Sequence, residues 1–354
     1  MEASINRLKG LQPIKPLSRV KKTLFLRKTN MMKNKKTTPP NDTVKIVIVG
    51  SINCDITTYI NHFPKTHETI MAERTAVSVG GKGLNQAVAA ARAGAEVSIV
   101  ACIGNDQFGS QAMTYLKDNN VSVNHVSCIK GIVTGTATIF VANNGENMIA
   151  VSPGANSRLT PELVEKASDI LTSADIVIVQ LETPLDAVET ALRIAKKAGV
   201  KTILNPAPAD ANAVRLLPFV DIITPNETET EVLVGINPNS PEATEKAVQA
   251  FHDLGTEGVI ITKGENGCAI SIEDHRTDIE SFKVEMVDAT GAGDVFNGVF
   301  ALYTARELSP EKAARIASAA AAISVTRPMA ENAAPFSGEI EEFLEKHKAQ
   351  QPGQ

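Results

Sequence analysis

Val44-Lys45-Ile46-Val47-Ile48-Val49-Gly50 is a β-branched run broken once and closed by glycine. It is apolar at successive positions and shorter than an ordinary helix, so it predicts a strand buried on both faces. Similar runs follow at 97–101, 176–179, 202–204, 222–224 and 259–262. Between them lie Ala-rich stretches with helical spacing at 84–93, 108–119, 161–172, 184–198 and 241–254. The last third reads as helices at 291–306, 311–325 and 337–347. Strands alternating with helices predict a parallel sheet covered on both sides, a three-layer α/β fold.

Two regions break that rhythm. Residues 54–79 and 133–151 alternate in a strand-like way with no helix between their halves, and Asn143-Asn144-Gly145-Glu146 has the composition of a hairpin turn. They predict a small β-sheet lying over the main domain as a lid.

The whole chain of 354 residues carries a net charge of −5, but residues 1–43 hold eleven Lys/Arg against Glu2 and Asp42. The remaining 24 basic and 38 acidic residues leave the body at −14. A body this acidic repels phosphate backbones, which argues against nucleic-acid binding. No apolar run reaches the ~18 residues of a membrane span. The four cysteines, Cys54, Cys102, Cys128 and Cys268, are dispersed without Cys-x-x-Cys spacing. They read as reduced thiols of a cytoplasmic protein. The six histidines show no metal-site spacing.

Residues 1–43 lack helical or strand periodicity and are expected to be a disordered extension. Their basic, acid-poor composition also fits an organellar transit peptide, or upstream sequence preceding a start at Met31 or Met32. Folded structure is expected over 44–348, with 349–354 as a tail.

Five sets of residues are candidates for chemistry. Asp288-Ala289-Thr290-Gly291-Ala292-Gly293-Asp294 places two glycines at the start of an apolar helical stretch. Small residues there leave backbone N–H groups open to an anion, and Asp294 sits just inside the turn. Phosphoryl transfer needs both donors for phosphate charge and a carboxylate to take a hydroxyl proton. A dipole-stabilising cap explains the same residues.

Gly80-Gly81-Lys82-Gly83 with Asn85 precedes an Ala-rich helix and matches neither a Walker A loop nor a dinucleotide fingerprint. It is a tight turn, or a close-approach site for a polyol. Asn53 and Asp55 follow the first strand, and Glu182 follows the strand at 176–179. Residues at the carboxyl ends of parallel strands border the ligand crevice. Asn226-Glu227-Thr228-Glu229 has capping-box spacing, or faces a Mg²⁺–phosphate region through water. Thr262-Lys263-Gly264-Glu265-Asn266-Gly267 is a hairpin turn or a nucleotide-facing loop.

These two glycine motifs resemble the signatures of the ribokinase-like (PfkB) carbohydrate kinases. The segments between them are similar to the ribose kinases of that family: Gly50-Ser51-Ile52-Asn53-Cys54-Asp55, Gln86-Ala87-Val88-Ala89-Ala90, Gln180-Leu181-Glu182-Thr183-Pro184-Leu185, Asn205-Pro206-Ala207-Pro208-Ala209 and Asp221 through Glu229. The resemblance runs from about Lys45 to about Lys346. It implies ATP-dependent phosphorylation of D-ribose at the 5-hydroxyl, with Mg²⁺ and a monovalent cation, K⁺.

Under that resemblance Asp294 is the base, and Gly291, Ala292 and Gly293 form the anion hole. Asn53, Asp55, Gly81, Lys82, Gly83, Asn85, Glu182 and Asp294 bind the sugar. Asn226, Glu229, Gly293 and Thr262, Lys263, Gly264, Glu265, Asn266 and Gly267 face the nucleotide. Ser318 takes the adenine-side position where the family commonly has Asn or His. The cation falls to Asp288, Thr290, Ser324, Arg327, Met329 and Ala333. Here the chain departs from the family, with Met329 where Gly is usual and Ala333 where Ser is usual, which implies a weaker or altered site. An exposed lid edge suits a homodimer. The rivals are a deoxyribose, fructose or nucleoside kinase on this scaffold, and a sugar-binding regulator without catalysis. Retention of Asp294 and its glycines argues against the regulator.

Overall fold

The computed structural model describes residues 43–144, 146–272, 275–328 and 333–348. The expectations for 1–42, Gly145, Met329 and 349–354 lie outside the described residues.

The chain opens with β1 (Lys45–Val49), β2 (Asn53–Ile60), β3 (Arg74–Gly80), α1 (Lys82–Arg92), β4 (Glu96–Gly104), α2 (Gln107–Asp118) and β5 (Val121–Ile129). Next come β6 (Gly135–Ala142), β7 (Asn147–Ser152), α3 (Pro161–Glu165), α4 (Ser168–Ser173), β8 (Ile176–Val179), α5 (Leu185–Ala198) and β9 (Lys201–Leu204). The last part holds β10 (Ile222–Ile223), α6 (Glu227–Val234), α7 (Pro241–Asp253), β11 (Gly258–Thr262), β12 (Cys268–Ile272), β13 (His275–Ile279), α8 (Ala292–Ala305), α9 (Pro310–Ser324) and α10 (Ser337–Lys348).

The main sheet has nine strands in the order β13-β12-β11-β10-β9-β8-β1-β4-β5. It is parallel from β11 to β5, and β12 and β13 add an antiparallel edge. The strands read as unbroken apolar runs because each face has its own core. Ile46, Ile48, Ile176, Ile178, Ile203, Ile222 and Ile260 enter one cluster with α1, α8 and α9. Val47, Val49, Val177, Val179, Leu204, Ile223, Val259 and Ile261 enter the other with α5 and α7. The period of two thus sorts isoleucine largely to one side and valine to the other.

A separate sheet of order β3-β2-β6-β7 forms the expected lid. Its roots are pinned to the main domain. Thr134 donates through N and Oγ1 to the two carboxylate oxygens of Asp106, both at 2.7 Å. Asn156, just past β7, accepts from Ile52 N at 2.9 Å and donates to Ile52 O at 3.1 Å and Asn53 Oδ1 at 2.7 Å.

Residues 161–172, expected as one helix, form α3 and α4 with a break at Lys166 and Ala167. The hydroxyls of Ser168, Thr172 and Ser173 donate to backbone carbonyls of 165, 168 and 169, competing with a continuous helical ladder. No helix among the described residues is long and apolar enough to cross a membrane.

Candidate active site

Parallel strands deliver polar residues to one rim of the sheet, as the crevice rule requires. Ser51 and Asn53 follow β1, Gln180 and Glu182 follow β8, Asn205 follows β9, Thr224 follows β10, and Thr262 ends β11. Gly81, with φ 95°, turns the chain from β3 into α1. A Cβ there would fall 2.7 Å from Asn53 N, so the turn lies directly on the start of β2.

Glu182 gathers Ser51, Asn53 and Lys82. Its Oε2 accepts from Ser51 Oγ at 2.5 Å, Lys82 N at 3.2 Å and Asn53 Nδ2 at 3.4 Å. Asn156 occupies Asn53 Oδ1, which leaves the Asn53 N–H₂ on the Glu182 side. Asn85 Nδ2 donates to Asp294 Oδ2 at 3.1 Å, while its Oδ1 is buried without a partner. That acceptor suits a ligand hydroxyl.

Asp294 lies in the first turn of α8, buried, on a helix whose start at Gly291 (φ 80°) has no side-chain cap. A Cβ on Gly293 would meet nothing within 4 Å, so space is open beside that turn. Ala292 N makes only a long bond to Ala289 O, at 3.3 Å; with no side-chain cap and with open space, the turn fits an anion such as a terminal phosphate. Helix α8 reaches α1 through backbone: a Cβ on Gly298 would fall 2.5 Å from Gln86 O. This close crossing brings Asp294 beside Asn85.

Asn226 and Glu229 form the anticipated capping box, with N–H to Oε2 and N–H to Oδ1 bonds of 2.8 Å each. Burial pushes the Glu229 carboxyl above its ordinary range; the Asn226 N–H and Lys82 oppose this, and Asp294 reinforces it. Burial works against the Lys82 ammonium, yet Asp294, Glu182 and Glu229 together hold it above the usual lysine range. One lysine therefore couples electrostatically to three carboxylates, from Glu182 after β8 through Asp294 on α8 to Glu229 on α6. No cluster of three or more metal-ligating side chains exists among the described residues.

Thr262 bridges to Asn226, and it faces Cys268 across the hairpin. Burial pushes the Cys268 thiol up to about 12, with the Ser318 hydroxyl bonded to it. Asn226, the loop at 262–267 and Ser318 thus converge on one edge of the crevice. Lys263 does not join them through its ammonium, which donates to Thr244 Oγ1 at 3.0 Å. Beside the anion-hole turn, Val325 O accepts from Val287 N at 2.7 Å and Asp288 N at 3.1 Å. This joins the Asp288–Thr290 loop to the end of α9. Arg327 turns its guanidinium to Glu339, and Ser324 and Ala333 are buried.

Sequence reasoning missed the amides behind the site: Asn156, Gln86, Asn205 and Asn297. Their one local signal is a polar residue on an otherwise apolar stripe, as Gln86 is between Leu84 and Ala87.

The chain belongs to the pfkB family of carbohydrate kinases, whose match extends over residues 43–336. Within it the chain is a ribokinase-like sugar kinase. It is 42% identical to the ribokinase of Haemophilus influenzae over 300 residues, covering 85% of this chain and 98% of that protein. It is 34% identical to the deoxyribokinase of Salmonella typhi over 304 residues, covering 84% and 98%. The solved Arabidopsis thaliana ribokinase complexed with ribose and ATP superposes with a TM-score of 0.81 at 32% identity, covering 86% of this chain and 99% of that one.

Proposed function

We propose that this chain transfers the γ-phosphoryl group of ATP to the 5-hydroxyl of D-ribose, with Asp294 as the general base. The observation that carries the reading is the placement of the Asp294 carboxylate. It sits at an open, uncapped helix start and is held from the sugar side by Asn85. The sugar lies over Gly81, against Asn53, Asp55, Lys82, Asn85 and Glu182. Asp294 accepts the proton of the attacking hydroxyl, and the N–H groups at Gly291–Asp294 receive the charge of the moving phosphoryl group. Transfer is direct, without a phosphoenzyme.

Asn226, Glu229, the loop at 262–267 and Ser318 face the nucleotide. The three carboxylates around Lys82 would repel polyphosphate, so charge neutralisation is needed there. Mg²⁺ bound with ATP would supply it, and Asn226 and Glu229 are the residues that would hold its water shell.

A coupled ADP-release assay across pentoses, hexoses and nucleosides tests the reading. D-ribose is expected to give the highest kcat/KM, with 2-deoxyribose at least about tenfold lower through loss of one hydroxyl partner. Preference for deoxyribose would favour the second reading, which the deoxyribokinase relative supports. Absence of turnover with every sugar would favour a non-catalytic binder.

The late loop predicts weak K⁺ activation. Of the residues assigned to the cation, Arg327 can offer only its backbone carbonyl, and Ala333 has no hydroxyl. Met329 replaces a glycine that would let the backbone curl around an ion. Titrating K⁺, Cs⁺ and Na⁺ at fixed ionic strength should change kcat by less than about threefold, a small shift for a charge without direct substrate contact. Many-fold, saturable activation by K⁺ and not Na⁺ would refute this.

We also propose that a second copy covers the lid. Val77 on β3 and Met148, Ile149 and Val151 on the edge strand β7 are exposed, an apolar edge that invites pairing. Sedimentation at micromolar concentration should show a dimer; a monomer would refute it.

A further inference from the structure

Gln86 is fully buried on α1, and an unpaired amide there would be costly. Its Nε2 donates to Asp294 Oδ1 at 2.9 Å and to Asn205 Oδ1 at 3.0 Å. Its Oε1 accepts from Gln180 Nε2 at 2.7 Å. A carboxylate can only accept, so the Gln86 amide has one orientation, and Gln180 must donate to it.

From Asn205 the chain of bonds continues. Asn205 Nδ2 donates to Thr224 O at 3.4 Å, Thr224 Oγ1 donates to Asn297 Oδ1 at 2.6 Å, and Asn297 Nδ2 donates to Gly293 O at 2.8 Å. Gly293 is bonded to Asp294, so the path closes into a ring. It passes through α1, the carboxyl ends of β9 and β10, and two turns of α8. Each of its side chains is buried.

We propose that Gln86 is a positioning residue for the Asp294 carboxylate, and that the ring locks this carboxylate to the helix start that receives the phosphoryl group. The proposal rests on Asp294 being the base. Asn85 fixes Oδ2 and Gln86 fixes Oδ1, so the plane of the carboxylate is set from two sides. The lone pair that takes the sugar proton is aimed before substrate arrives. Gln86 is behind the carboxylate, so it acts through Asp294.

The test is a double-mutant cycle of Gln86→Met and Asp294→Asn, with kcat and both KM values measured on the full chain. Misaiming a reacting group by about 1 Å costs on the order of 10²-fold. Gln86→Met is therefore expected to lower kcat about 10- to 100-fold, with both KM values within about threefold. In the Asp294→Asn background the same substitution should change kcat by less than about threefold, because the group it aims is gone. Equal losses in both backgrounds would overturn the proposal and leave Gln86 a packing residue. Near-normal kcat in Asp294→Asn alone would instead overturn the assignment of the base.

Gln86→Glu covers the case in which Met does not fold, since it keeps the volume and the acceptor for Gln180. It sets a second carboxyl against Asp294, and the pair will share a proton. Its kcat should fall at neutral pH and rise with pH more steeply than that of the parent chain. A Gln86→Glu enzyme with parent-like kcat and pH profile would also overturn the proposal.

Discussion

Replacing Asp294 with Asn is expected to cut kcat by about 10²–10⁴, the span for losing a general base, while leaving the chain folded. The substitution is isosteric in a buried position. What changes is basicity. An amide cannot take the hydroxyl proton, and its N–H₂ must confront one of the donors, Asn85 Nδ2 or Gln86 Nε2, that now point at carboxylate oxygens. That confrontation predicts a modest fall in melting temperature, well short of unfolding. KM for ATP should move little, since the helix-start N–H groups belong to the backbone. Steady-state kinetics and a thermal melt on the same preparation check both parts. A variant with near-normal kcat removes Asp294 from the chemistry.

Asp55→Ala should raise KM for ribose about 10- to 100-fold and leave KM for ATP nearly unchanged. Asp55 stands on β2 opposite Ser78, and its Oδ2 would be 2.2 Å from a Cβ on Gly80. The carboxylate thus leans over the glycine turn that opens α1, where the sugar is proposed to lie. A site built to pair hydroxyls loses affinity when a partner is removed, because the remaining polar groups are left unmatched. Isothermal titration with ribose separates this from a kcat effect. An unchanged ribose affinity together with a raised KM for ATP would reverse the assignment of the two ends.

Much of the fold was legible because the main sheet is buried on both faces. A strand covered on both sides is apolar almost throughout: 176–179 is so at every position, 44–49 is broken only by Lys45, and 259–262 ends in Thr262. The strands missed were β5, β12 and β13, on the two flanks of the main sheet. β5 pairs only with β4 and is half-exposed, so Val121, Val123 and Val126 alternate with Ser122, Asn124 and His125. β13 is the outer edge and carries His275, Arg276 and Asp278, charges that discourage further pairing. Its hairpin partner begins at the loop read as either a turn or a nucleotide contact, and geometry permits both.

The site was legible where glycine and acid spacing is local, as at Gly80–Gly83 and Gly291–Asp294. It was illegible where amides meet across the chain. Gln86 and Asp294 are 208 positions apart, and nothing in either neighbourhood announces the other. Asn297 reads as an odd polar residue in an apolar helix until Thr224 is placed beside it.

The close crossing of α1 and α8 bears on how the chain is made. Until residues near 305 leave the ribosome, the apolar stripe of α1, from Leu84 to Ala90, has no α8 to cover it. In a nascent chain of this length that face of α1 lacks its cover, and exposed apolar surface of this kind makes partly folded chains prone to aggregate. The helix that finally hides that stripe also delivers Asp294. Burial of the stripe and arrival of the carboxylate are therefore one event, and no shorter translation product holds both the sugar-side turn and the acid facing it.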